Sequence, residues 1–115
     1  MSTPGIMKMC DKYDRDEIQI VSLELVHIPV DIGDDNVDFQ IALTNGETWT
    51  GTFFTLANIE KVMRARTLSG ESAGGLHFWC KEMIVVRDLS HSTLAKVVAD
   101  LVSTGEYLTA LNKAD

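Results

Sequence analysis

Asn36-Val37-Asp38-Phe39-Gln40-Ile41-Ala42-Leu43-Thr44-Asn45-Gly46-Glu47-Thr48-Trp49-Thr50-Gly51-Thr52-Phe53-Phe54-Thr55 reads as two strands around a turn. Val37, Phe39, Ile41 and Leu43 alternate with Asp38, Gln40 and Ala42, the period-two pattern of a half-buried strand. Asn45-Gly46 is a strong hairpin signal, because a type I′ turn needs positive φ at both central residues. A two-residue loop of that type pairs Leu43 with Thr48, Ile41 with Thr50, Phe39 with Thr52 and Val37 with Phe54. On the opposite face it sets Ala42 against Trp49, Gln40 against Gly51 and Asp38 against Phe53. Trp49 and Phe53 then stand on the solvent side of the sheet, an apolar patch rimmed by Asp38 and Gln40. Patches of that kind mark association surfaces. A bulge near Gly51 would instead return one of the rings to the core.

Upstream, Val21, Leu23, Leu25 and His27 alternate with Ser22, Glu24 and Val26, giving a first strand. Ile18 and Ile20 are out of phase with that set, which points to a bulge at the strand's start or to burial on both faces. Pro29 ends the strand, and residues 30–35 read as a polar connection. Residues 1–16 follow neither period and read as a mobile arm before a single domain over 17–115.

Downstream, Thr55 caps a helix whose apolar stripe is Ile59, Val62 and Met63, ending by Gly70. Two apolar runs, 76–80 and 83–86, around Lys81-Glu82 read as a second hairpin. Leu94, Val97, Val98, Leu101 and Val102 hold helical spacing between a Ser90 cap and Gly105. Tyr107, Leu108 and Leu111 suit a short closing helix. The order β-β-β-α-β-β-α predicts an α+β two-layer sandwich: an antiparallel sheet of about five strands with two main helices on one face.

The chain has 115 residues, 45% of them apolar, which suits one ordinary domain with a modest core. Ten Lys and Arg against seventeen Asp and Glu leave a net charge of −7, which repels nucleic acid and steers basic protein surfaces inward. Cys10 and Cys80 have no metal or redox spacing and suit a reducing cytoplasm. No run approaches the roughly 18 apolar residues of a membrane span, and no secretory leader is apparent.

Gly70-Glu71-Ser72-Ala73-Gly74 matches the G-x-S-x-G pattern of a serine nucleophile, with His77 or His91 as base and Asp88 to orient it. That chemistry needs a strand before the serine and a helix after it, and here a helix precedes and a strand follows. A linking loop is the simpler reading, and a small serine hydrolase or ligand-binding enzyme using residues 69–75 is the alternative. Asp34, Asn36 and Asp38 imitate the start of a calcium loop, but Phe39 stands where the tight-turn glycine belongs. His77 and Cys80, three apart in a strand, point to opposite faces and cannot chelate together. Lys61, Arg64 and Arg66 make a wet helix face. No metal or cofactor is expected.

Residues 44–55 and 77–89, TNGETWTGTFFT and HFWCKEMIVVRDL, resemble a group of short bacterial proteins with no assigned activity. The resemblance implies a stand-alone domain that works by binding another protein, and it carries over no catalytic residue. The sequence therefore reads as a small acidic, non-enzymatic interaction domain of the adaptor, inhibitor or immunity type. Its anchors would be Trp49 and Phe53, and its partner another protein or a second copy.

Overall fold

The computed structural model describes residues 18–114, so the arm expected over 1–16 lies outside the described residues. In chain order the elements are β1 (Ile20–Leu25), β2 (Asn36–Leu43), β3 (Thr48–Thr55), α1 (Leu56–Ser69), α2 (Glu71–Gly75), β4 (Met83–Val86), α3 (His91–Thr104), α4 (Tyr107–Ala110) and β5 (Asn112–Ala114). The strands form one open sheet in the order β1-β2-β3-β4, with β5 also pairing with β3. All pairs are antiparallel except β3–β4. The α+β class, the five strands and the two main helices are as the sequence predicts.

The turn between β2 and β3 differs from the expected one, and the difference propagates. Of the Asn-Gly pair only Gly46 takes a positive φ, +88°. Asn45 instead stays out of the left-handed region and uses its side-chain oxygen to accept the Glu47 N–H at 3.0 Å, a local bond that asparagine makes readily in turns. Gly46 N–H donates to the Leu43 carbonyl, and Leu43 N–H donates to the Glu47 carbonyl, closing a three-residue loop in place of a two-residue one. The extra residue shifts the register by one, so that Ile41 faces Trp49, Phe39 faces Gly51 and Val37 faces Phe53. Because side chains alternate, a slip of one turns every β3 side chain to the other face.

Trp49 and Phe53 consequently join the core with Val37, Phe39, Ile41 and Leu43 of β2. From the helical side Leu94, Val98, Leu101 and Val102 of α3 close it, with Tyr107 and Leu111 beside them. α3 begins where Ser90 accepts the Thr93 N–H and ends at left-handed Gly105, as its spacing predicts. Phe39 and Phe53 stack with centroids 3.9 Å apart. Gly51 permits this, since a Cβ there would come within 2.8 Å of Leu111 and 2.9 Å of Phe39.

The bulge expected near the start of β1 is present: the pairing with β2 shifts between Ile20 and Ser22, leaving Val21 extra and exposed. α1 opens with Thr55 accepting the Asn58 N–H at 3.2 Å and stops at left-handed Gly70. The second hairpin is not formed. Residues 76–80 carry no strand, β4 runs parallel to β3, and the fifth strand is β5 at the C-terminal side. The order is thus β-β-β-α-α-β-α-α-β. A parallel neighbour requires a crossover, and α1, α2 and residues 76–82 supply it. The apolar run that suggested a strand is used irregularly: Phe78 meets Phe54 edge-on at 5.2 Å and lies under the Arg66 guanidinium. Phe54 alternates away from the main core, and the Ile59, Val62 and Met63 stripe of α1 is not part of that core either.

Candidate interaction surface

The four residues read from the sequence as a binding patch do not come together. Trp49 is 6% exposed, donates its indole N–H to Glu47 Oε1 at 3.1 Å and meets Tyr107 edge-on. Phe53 is 0% exposed. The aromatic patch is therefore interior, for the register reason given above. Asp38 and Gln40 do face outward, lining a shallow hollow of about 240 Å³ with Val26, Thr50, Thr52 and Glu82. Thr52 Oγ1 donates to Asp38 Oδ1 at 2.6 Å across the paired strands.

The glycine-rich segment is no nucleophile elbow in its setting. It lies between α1 and residues 76–82, with Ser72 and Ala73 both in left-handed backbone at φ 53° and 54°. Ser72 Oγ accepts from Arg66 Nη1 at 2.9 Å, a cation that has no lone pair with which to take the serine proton. The side chains of the would-be calcium loop are engaged within the fold: Asp34 accepts from Lys61 and Asn58, Asn36 donates its amide N–H to Asn58 Oδ1, and Asp38 accepts from Thr52. Among the described residues no group of three or more His, Cys, Asp or Glu is placed to hold a metal ion. No helix among them is long and apolar enough to cross a membrane.

What the structure does expose is the end of the first predicted strand together with the start of the connection, residues 30–35, that the sequence presented as polar. Val26, Ile28, Val30 and Ile32 are 73, 88, 96 and 52% exposed, four β-branched side chains within seven residues. Scattered surface apolar residues are ordinary, but a contiguous run of them marks an association surface. The backbone beneath is fastened by its own carboxylates. Asp35 accepts the Val30 and Asn36 N–H groups, Asp31 accepts the Gly33 N–H, and Leu89 N–H donates to the Ile32 carbonyl at 2.7 Å. Asp34 ties the segment to α1 through Lys61 Nζ at 2.6 Å, a contact that holds its carboxyl below the ordinary aspartate range. The side chains are thus presented on a specified backbone. The sequence signal was the period-two set 26, 28, 30 and 32, which continues through Pro29 where a strand has to stop.

Two further properties define this side of the molecule. Among the described residues β1 pairs only with β2, and its other edge has no strand partner there. Residues 18–55 contain six carboxylates, Glu24, Asp31, Asp34, Asp35, Asp38 and Glu47, and neither Lys nor Arg. A separate exposed group, Leu68, Leu76 and the 71% exposed Trp79, lies on the crossover.

No family model, no curated protein and no solved structure matches this chain.

Proposed function

We propose that this chain is a small acidic, non-enzymatic interaction domain that binds another protein through the exposed apolar run at residues 26–32. The observation that carries the reading is the run itself: four large β-branched side chains left in water on a backbone pinned by hydrogen bonds. Leaving that area exposed forfeits on the order of 1.5–3 kcal/mol per side chain, and covering it on association recovers much of this. The serine-enzyme reading draws no comparable support, since Ser72 is engaged by Arg66. We place the domain in a bacterial cytoplasm on its cysteine usage and resemblance, as a monomer that awaits a partner. Self-pairing would bring two chains of net charge −7 together.

The test is capture of partner from the native host by wild type and by an Ile28→Ser, Val30→Ser variant side by side, with the fold of each checked by circular dichroism. Both side chains are exposed, so the variant is expected to fold. Capture is expected to weaken by roughly thirtyfold, the scale of a contact hot spot. Equal capture by the two proteins would refute the reading.

A further inference from the structure

We infer that the partner contributes an extended cationic segment, which adds as a strand to the open edge of β1 with its apolar side chains against the 26–32 run. The inference rests on the proposed interaction function and specifies its partner. The edge comes first. Val26 N–H donates to the Asp38 carbonyl at 2.9 Å, so by the alternation of strand amides Ser22 and Glu24 also point toward β2. The amides of Leu23 and Leu25 therefore point outward to the unpaired side. Proteins commonly blunt such edges with lysine, proline or a bulge. β1 has neither lysine nor proline, and its one bulge, at Val21, leaves residues 22–25 regular. Strand addition uses these groups, with pockets or patches beside the edge for alternate side chains. Val26, Ile28 and Val30 follow directly on β1 and leave large side chains exposed beyond its end.

Charge selects the occupant. Glu24 is exposed on β1, and Asp38 and Glu82 line the hollow that Val26 borders. Asp31 and Asp35 accept backbone N–H groups beneath the run. Lys61 is ion-paired with Asp34. The run of 38 residues from 18 to 55 offers a partner no Lys or Arg. A second copy would bring a second set of the same carboxylates to the edge, with the repulsion that like charges impose. A segment alternating lysine or arginine with apolar residues answers the exposed Glu24 of β1 and the exposed Val26 that follows it.

The experiment titrates the full chain with fluorescently labelled peptides of about eight residues, the length of an ordinary strand, alternating lysine with valine or glutamate with valine. Amide hydrogen exchange is followed at Leu23 and Leu25. The lysine peptide is expected to bind, to weaken about tenfold or more between low and physiological salt, and to slow exchange at both amides. Binding is expected to fall with Glu24→Gln, Asp38→Asn and with Ile28→Ser, Val30→Ser. Equal binding of the glutamate peptide overturns the partner's charge, and binding without protection of Leu23 and Leu25 overturns strand addition. If either occurs while host-partner capture still depends on Ile28 and Val30, the interaction function stands without this inference. If capture does not depend on them, both fall. Concentration-dependent dimerisation that protects the same two amides would assign the edge to a second copy and overturn it as well.

Discussion

The Phe39 ring lies flat on the Phe53 ring, centroids 3.9 Å apart and planes within 12°, although the residue opposite Phe39 in the ladder is Gly51. The missing side chain at 51 leaves the space that Phe39 fills on its way to its diagonal neighbour. Truncating either ring removes both the buried area and the stack, so Phe53→Ala is expected to cost about 3–5 kcal/mol. Gly51→Ala, which adds one methyl against Phe39 and Leu111, is expected to cost about 1–3 kcal/mol. Urea unfolding measures both. A Gly51→Ala protein as stable as wild type would mean that the strands approach less closely than described.

The two tryptophans occupy opposite environments. Trp79→Phe leaves Trp49 as the sole indole emitter, enclosed and bonded to Glu47, so its emission is expected to be blue-shifted and resistant to iodide until the protein unfolds. Trp49→Phe leaves only the exposed Trp79, with emission close to that of the unfolded chain and readily quenched. The reverse pattern would place Trp49 in solvent.

Glu47 couples the core to pH. The Trp49 indole N–H holds its carboxyl below the ordinary glutamate range, with Lys113 Nζ at 3.3 Å adding to the effect and partial burial opposing it. A carboxyl depressed in the folded state contributes stability that is full above its unfolded value and is lost as pH falls through the folded one. Wild type is therefore expected to lose more stability than Glu47→Gln when acidified below the ordinary glutamate value. Glutamine keeps an oxygen for the indole, so the difference reports charge. Thermal melts across that window show it as converging curves, and parallel curves would contradict it.

Ser72 and Ala73 hold left-handed backbone without being glycine. That conformation costs about 1–2 kcal/mol per residue for an L side chain. Glycine gives back part of this gain by its freer unfolded chain. Ala73→Gly is expected to raise stability by up to about 1 kcal/mol in urea unfolding. Ser72, bonded to Arg66, is expected to stay unlabelled by a serine-reactive phosphonate. Covalent labelling of Ser72 would revive the enzyme reading.

Much of the architecture was legible because period and capping chemistry are local. The Leu94, Val98, Leu101 and Val102 stripe, the Thr55 and Ser90 caps and the Ile20 irregularity all appear where the residues imply. The site was not legible, because register depends on a choice within one turn. Asn45 accepts the Glu47 N–H and only Gly46 is left-handed, and the three-residue loop so formed sets the register in which Trp49 and Phe53 are inside. The exposure of Val30 was hidden for a second reason. Apolar residues beside Pro29, Asp31 and Asp35 read as a loop, and periodicity does not say which side chains an irregular segment leaves exposed.

Every statement about which surface is free follows from the pairing of β2 with β3, and proton NMR reads that pairing directly. Facing residues of a wide antiparallel pair bring their Hα protons together. Leu43 and Glu47 form a bonded pair at the turn, so the wide pairs are Ala42 with Thr48, Gln40 with Thr50 and Asp38 with Thr52. Strong Hα–Hα cross-peaks are expected for those three. Cross-peaks linking Leu43 with Thr48 or Ile41 with Thr50 instead would restore the two-residue turn, return the rings to the surface and contradict the account.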